Sequence, residues 1–440
     1  MRTHTSKSFL AATLASSAAV LLAGCSGFRG ISTAPVAQQG SAFTGRVIGG
    51  QQPVKFATIS FYAAATTGYG VSNQNVLTAP VSTDGGGNFN IGTNYTCTPG
   101  QQMYIVATGG DPGGGINNNL ALMAALGDCA SLGPQTFINM NEVTTIGTAF
   151  ALAPFMSSIT QLSTSANNTV GLVRAFANVN KLVSIAGGST PGPALPTGAT
   201  APAAEIYTLA DILALCVNSQ GGVANDGTTN CGYLLGLTTP TGGIAPTDTI
   251  QAALNIAHNP KLNVGPLYQL ATGQPPFTGK LPSAPNDWTL AVTYANGGFS
   301  TPKSTTVDAA GNIWVANAGN NSVTVLAQTG TPLAFSPLKN NGLAQPAAIA
   351  IDNSGNAWVA NAGGATVSAF TGTGAALAGS PFSGSSTISA PAAIAIDAPG
   401  NIWVANKGNS SVTELNATGA YLQQVSSGVT APNALAINPK

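Results

Sequence analysis

The chain has 440 residues, of which only 6% are charged, and its 13 basic and 13 acidic residues cancel to a formal net charge of zero. A chain so sparsely and evenly charged has no basic surface for neutralising phosphates, which excludes a nucleic-acid partner recognised through its backbone. Its 54 glycines and 28 prolines fall short of a low-complexity composition, and 44% hydrophobic residues suffice for packed cores; the length points to two to four domains.

Met1–Ser8 is polar and carries Arg2 and Lys7, Phe9–Leu22 is mostly apolar, and small residues lead up to Cys25. Basic, then apolar, then small is the order of a secretory signal, here residues 1–24, and the apolar run is short for a spanning helix. Leu22-Ala-Gly-Cys25 resembles the bacterial lipobox. The resemblance implies that Cys25 becomes the lipidated first residue of the mature chain and anchors it to a membrane. Ser26 follows it rather than an aspartate, which by resemblance to Gram-negative lipoproteins favours the outer membrane, on either its periplasmic or its cell-surface side. Residues 25–41, rich in Gly, Ser, Ala and Gln, read as a flexible tether.

With Cys25 assigned to lipid, Cys97, Cys129, Cys216 and Cys231 remain. An even remainder in an oxidising compartment points to two disulfides. Of the three possible connectivities, nearness in sequence favours Cys97–Cys129 and Cys216–Cys231. Metal ligation is the rival reading, but no Cys-x-x-Cys or nearby histidine accompanies them.

Residues 42–110 read as a β-sandwich, with strands expected over Phe43–Ile48, Val54–Ala63, Val76–Ser82, Asn88–Ile91 and Met103–Ala107 between Gly-rich or polar turns. The turn at Thr83-Asp84-Gly-Gly-Gly-Asn-Phe89 resembles that of carboxypeptidase-regulatory-like and Cna-B-type sandwiches, which implies a stalk or spacer. Asp84, Asn88 and Asn90 offer oxygen ligands for calcium, but with one carboxylate among them a plain hairpin turn is the simpler reading. Gly109-Gly-Asp-Pro-Gly-Gly-Gly115 lacks the Lys-Ser/Thr ending of a phosphate-binding loop and reads as a linker.

Residues 116–275 change character and read as a small α-helical domain. Asn141 is placed to cap a helix running to about Phe155. Thr169–Ile185 spaces Val170, Val173, Phe176, Val179, Leu182 and Val183 near the helical period, Glu205–Val217 does so with Ile206, Leu209, Ile212, Leu213 and Val217, and Thr247–His258 with Ile250, Leu254 and Ile256. Residues 187–203 and 219–246 read as Gly- and Pro-rich loops. His258 is the only histidine of the mature chain, so any Ser/His/Asp triad would have to use it, and no Gly-x-Ser-x-Gly is present. It reads instead as a helix C-terminal residue, Glu142 and Glu205 as acids at helix starts, and Asp211 as a solvated charge. Asp287-Trp288 reads as packing at the domain junction.

The C-terminal part repeats. Asp308-Ala-Ala-Gly-Asn-Ile-Trp-Val-Ala-Asn317, Asp352-Asn-Ser-Gly-Asn-Ala-Trp-Val-Ala-Asn361 and Asp397-Ala-Pro-Gly-Asn-Ile-Trp-Val-Ala-Asn406 recur at the period of a propeller blade of about four strands. In each copy an apolar inner strand leads to an Asp-x-x-Gly turn closed by Gly311, Gly355 or Gly400, then to a strand carrying Trp314, Trp358 or Trp403. A third strand follows, as in Asn321–Leu326, and a weaker fourth is expected within Gly330–Pro337. Pro399 disfavours a type I turn and predicts a different turn in the third copy. Pro432-Asn-Ala-Leu-Ala-Ile-Asn438 begins a fourth copy. The expectation is that further blades lie beyond the chain given, or that Trp288–Tyr294 completes the partial blade.

These motifs resemble the NHL-repeat and streptogramin-lyase-like propellers over roughly 285–440. The lyases of that group use a histidine-bearing, metal-assisted site, and this sequence has no histidine after His258. Gluconolactonase-like propellers hold a metal through acidic and amide side chains, for which the candidates are Asp308, Asp352, Asp397, Asn317, Asn361 and Asn406. Each recurs in every copy, whereas a catalytic group is needed once, so they read as structural. Binding specificity is expected where the copies differ, at Lys407 (Ala318 and Ala362 in the others) and Glu414 (Val325 and Ala369).

The sequence thus predicts a mainly β multidomain chain: a β-sandwich, a small α-helical domain, and over 285–440 a partial β-propeller of three blades and one strand. The expected function is that of an exported, lipid-anchored envelope protein whose blades bind a protein or polysaccharide partner, with no cofactor and no catalysis. The alternative is a metal-dependent propeller enzyme of the lyase or lactonase type.

Overall fold

The computed structural model describes residues 35–272 and 276–438. The signal segment and the lipobox with Cys25 lie outside the described residues.

Seven strands shape the N-terminal part: β1 (Phe43–Gly49), β2 (Thr58–Ala63), β3 (Val81–Ser82), β4 (Asn88–Ile91), β5 (Gln102–Thr108), β6 (Ala121–Asp128) and β7 (Phe137–Met140). β1 pairs antiparallel with β4 on one side and parallel with β7 on the other, while β3-β2-β5-β6 form a second, antiparallel sheet. Period-two alternation turns Phe43 and Val47 of β1 inward, where they share a core with Phe61, Phe89, Ile91, Met103 and Ile105. Phe61 meets Phe43 and Tyr95 edge-on at 5.5 and 5.0 Å. Burial of each such side chain contributes about 1.5–3 kcal/mol. Of the strand expected over Val76–Ser82, only Val81–Ser82 pairs. The preceding residues form loop, held where Asn75 Oδ1 accepts from the Phe61 and Leu77 N–H groups.

The sheet does not end near residue 110, as the sequence led us to expect; β6 and β7 carry it to Met140. β6 escapes a period-two reading because both of its faces are buried. Leu122 and Ala124 join the core between the sheets, while Met123 and Ala125 join a second core on the opposite face. Tyr104 and Val106 of β5 join that second core too, so this sheet is a wall shared by both.

Six helices pack on the far side: α1 (Glu142–Leu152), α2 (Thr169–Leu182), α3 (Ala203–Val217), α4 (Asn230–Leu237), α5 (Thr249–His258) and α6 (Val264–Leu270). Asn141 caps α1 by a reciprocal bond pair with Thr144. Threonines fasten the helices to β6: Thr249, Thr145 and Thr148 accept from the N–H groups of Ala121, Met123 and Ala125. Those donors have no strand partner, so each bond removes the penalty of a buried, unpaired amide.

α4 lies within residues 219–246, which the sequence presents as loop; Thr229 caps its N-terminus and the Cys216–Cys231 bridge ties it to α3. Cys97–Cys129 joins the edge of the strand layer to the turn after β6. α2 is rotated from the face its valines suggest. Val170 and Val173 are exposed, and Leu172, Ala175, Phe176, Val179 and Leu182 face the core.

Three antiparallel blades follow, in a propeller-like arrangement that continues the same compact unit from Ala37 onward. Their inner strands are Pro302–Val307, Pro346–Ile351 and Pro391–Ile396, their second strands Ile313–Asn317, Ala357–Asn361 and Ile402–Asn406, and their third strands Ser322–Leu326, Thr366–Phe370 and Ser411–Leu415. Only the third blade has a full fourth strand, Tyr421–Val425. In the first blade the expected strand is reduced to bridges at Pro332 and Leu338, because Ser336 Oγ accepts the Val325 N–H and takes the place of a ladder bond; Ser380 does the same for Ala369. Trp314 packs in the core between blades one and two, and Trp358 in that between blades two and three. The 288–294 segment completes no blade. Trp288 is fully buried in the helical core, and Thr293–Tyr294 pairs with Ala199–Thr200.

Candidate functional site

The repeated residues close hairpins. In the first blade Asp308 Oδ1 accepts from the Asn312 N–H at 2.9 Å, and Oδ2 accepts from Asn312 Nδ2 at 2.9 Å and Trp314 Nε1 at 3.0 Å. Asp352 and Asp397 take the same bonds from Asn356 and Trp358 and from Asn401 and Trp403. Gly311, Gly355 and Gly400 have φ of +81°, +81° and +92°, the left-handed conformation that this turn demands. Burial acts to raise the three carboxyl pKa values, but the bonds from the Trp and Asn donors outweigh it and hold them below the usual carboxylate range.

The third hairpin keeps the closing bonds of the others, but Pro399 lacks the N–H that Ser354 donates to Asp352 Oδ1 in the second. The closing bonds kept in the third use the N–H groups of Gly400 and Asn401, so a proline between Asp397 and Gly400 removes none of them. Asn317, Asn361 and Asn406 are fully buried, each donating to two hydroxyls of the adjacent third strand, as Asn317 does to Ser322 and Thr324. Asn361 and Asn406 also accept the Ala344 and Ser389 N–H groups on Oδ1, whereas Asn317 Oδ1 is buried without a partner. The Asp84 turn is built alike: Oδ1 accepts from the Gly86 and Asn88 N–H groups, both at 2.8 Å.

Lys407 and Glu414 are not brought together. Lys407 lies exposed in the hairpin after Asn406, whereas Glu414 is paired across the sheet with Trp403, three rungs away. Glu414 stands on the face that blades one and two bury against their successors, and Gln423 donates to its Oε2 at 2.6 Å. The sequence reading missed Gln423, because its role depends on a fourth strand that the other two blades lack. On the same face Trp403 is partly exposed, whereas Trp314 and Trp358 are fully buried. The third blade thus combines a partly exposed indole with the exposed Gln423 amide, whose hydrogen-bond partner Glu414 is itself buried.

In the helical layer His258 ends α5, and its Nε2 pairs with the Ala153 carbonyl at 2.8 Å, at the end of α1. Asp211 is not solvated: it is 2% exposed, accepts the Phe277 N–H on Oδ1, and keeps Oδ2 buried without a partner. Glu142 is fully buried at the start of α1, and both its oxygens accept the Gly50 N–H, at 2.8 and 3.0 Å. Burial pushes Glu142 up to about 8, with the nearby Asp211 charge adding to it, and burial pushes Asp211 up to about 6. Neither carboxyl is open to a substrate; both act on folding. Among the described residues no three His, Cys, Asp or Glu side chains gather as metal ligands, and no helix is long and apolar enough to cross a membrane.

No protein-family model matches the chain, and no curated protein sequence matches it. Solved structures similar to part of it include virginiamycin B lyase from Staphylococcus aureus, at 16% identity over 30% of this chain and 42% of that one, with a TM-score of 0.27. A streptogramin B lyase is similar at 17% identity over 31% of this chain and 44% of that one (TM-score 0.28), and a protein of unknown function from Bacteroides caccae at 21% over 32% and 50% (TM-score 0.25). The chain spans half or less of the length of each. What its own strands define is a mainly β protein with propeller-like blades on a mixed sheet-and-helix body. Its two disulfides are those of a protein exported to an oxidising compartment.

Proposed function

We propose that this is an exported, lipid-anchored envelope protein whose blades bind a protein or polysaccharide partner without catalysis. The observation that carries the reading is the face of the third blade, where Trp403 is partly exposed beside the Glu414–Gln423 pair. An indole next to hydrogen-bonding side chains suits a partner that offers both an apolar face and polar groups, as protein surfaces and sugar rings do. Anchoring rests on Leu22-Ala-Gly-Cys25, and a spacer role for the N-terminal strand layer rests on its resemblance to stalk domains. Capture from detergent-solubilised envelope with the full chain and with Trp403→Ala tests the binding reading. A partner held at least about tenfold more weakly by the variant is expected; equal capture by both chains removes the third-blade face as the binding surface.

A further inference from the structure

A cavity of about 440 Å³ opens where α1, α2 and α5 approach the 288–294 segment. Phe150, Leu290 and Val292 supply apolar wall, and Asn178, Lys181 and Tyr294 supply the polar part. A second hollow of about 350 Å³ adjoins it between α2 and the first blade, lined by Arg174, Val307 and Ile313, and shares Asn178 and Lys181 with the first. Lys181 therefore stands where the two meet. Neither lining contains an aspartate or glutamate, and α2 itself carries Arg174 and Lys181 with no acid. The nearest acceptors to Lys181 Nζ are neutral, Tyr294 Oη and the Gln328 carbonyl, both at 3.5 Å and so at the outer limit of hydrogen-bonding reach.

An ammonium group so weakly engaged, beside a phenol hydroxyl and a side-chain amide, is a set of donors waiting for an anion. The volume lies in the range of small-molecule sites, which pair an apolar body with a few placed polar groups. We propose that this cavity binds a small monocarboxylate with an apolar body. Its two oxygens take the Lys181 ammonium and the Tyr294 hydroxyl, and the apolar part lies against Phe150, Leu290 and Val292. The site is formed by the body and not by the blade face, so it is independent of the partner binding proposed above.

Calorimetric titration of the full chain with 4-phenylbutyrate and with the uncharged 4-phenylbutanol tests it. The carboxylate is expected to bind at least about tenfold more tightly than the alcohol, as a charge-assisted bond would give. Lys181→Met should bring the carboxylate down to the level of the alcohol and leave the alcohol unchanged. Tyr294→Phe, which keeps the ring packing, should weaken the carboxylate alone by a few-fold. Equal affinity for the two probes, undiminished carboxylate binding in Lys181→Met, or no heat from the carboxylate at millimolar concentration would each overturn the proposal.

Discussion

The body and the blades are both rich in β structure, but their polar groups are satisfied over different distances. In the first blade the bonds of Asp308 with Asn312 and Trp314, and of Asn317 with the third strand, span 4 to 7 residues. In the body the Gly50–Glu142, Asn117–Cys216 and Ala121–Thr249 bonds span 92, 99 and 128 residues. Local bonds let each blade set its own hairpin geometry. Distant bonds make the strand layer and the helices depend on one another, so loss of one tie in the body is felt throughout it.

The sharpest test of that dependence is pH. Glu142 is raised from 4.5 to about 8 and Asp211 from 3.8 to about 6 in the folded body. At these two sites the folded state therefore holds protons that the unfolded chain has released, so their contribution to stability is fullest below about pH 4 and is lost as pH rises towards 8. For Glu142 the loss on ionisation is on the order of 4–5 kcal/mol. Urea denaturation from pH 5 to 9 should show this fall in the native chain and a flatter profile in Glu142→Gln; parallel profiles would show that Glu142 is not its source.

The blades offer an internal control. Trp358→Ala, in the interface between two blades, should cost about 3–5 kcal/mol. Trp403→Ala, on the partly exposed face, should cost about 1 kcal/mol or less beyond loss of its bond to Asp397. Matching shifts in the denaturation midpoint for the two would mean that the third face is covered as the others are. Cys97→Ser with Cys129→Ser should lower stability by about 3–4 kcal/mol, the value for a closed loop of this length, and should broaden unfolding of the body while leaving blade unfolding in place. Thr145→Val should cost about 1–3 kcal/mol by stranding the Met123 N–H. A change near zero there would mean that the helices are held to β6 by packing alone.

Legibility in the sequence follows the same division. The Asp-x-x-Gly hairpins and Trp strands were readable because their partners lie within a few residues, and Asn141 was readable as a cap because capping is local. β6 was not, since an unbroken Ala-Leu-Met-Ala-Ala-Leu run gives no period when both faces are covered. Asp211 looked like a surface charge because the segment that buries it arrives 66 residues later, at Phe277. The valines of α2 misled for a related reason. Which stripe of a helix turns inward is decided by the wall it meets, here Tyr104, Val106 and Met123. The cavity around Lys181 gave no sequence signal at all, because its lining is gathered from three helices and a strand segment more than a hundred residues from the first of them.

The threonines along β6 have one more consequence. A sheet that ends in an apolar strand offers an incoming extended chain a row of N–H groups on which to dock, and so a template for stacking. On β6 that row is already occupied by Thr249, Thr145 and Thr148. Only the opposite margin, at β3, is left, and it is two residues long. The helices thus act as a stopper, protecting the fold from templated growth at the strand whose composition would most invite it.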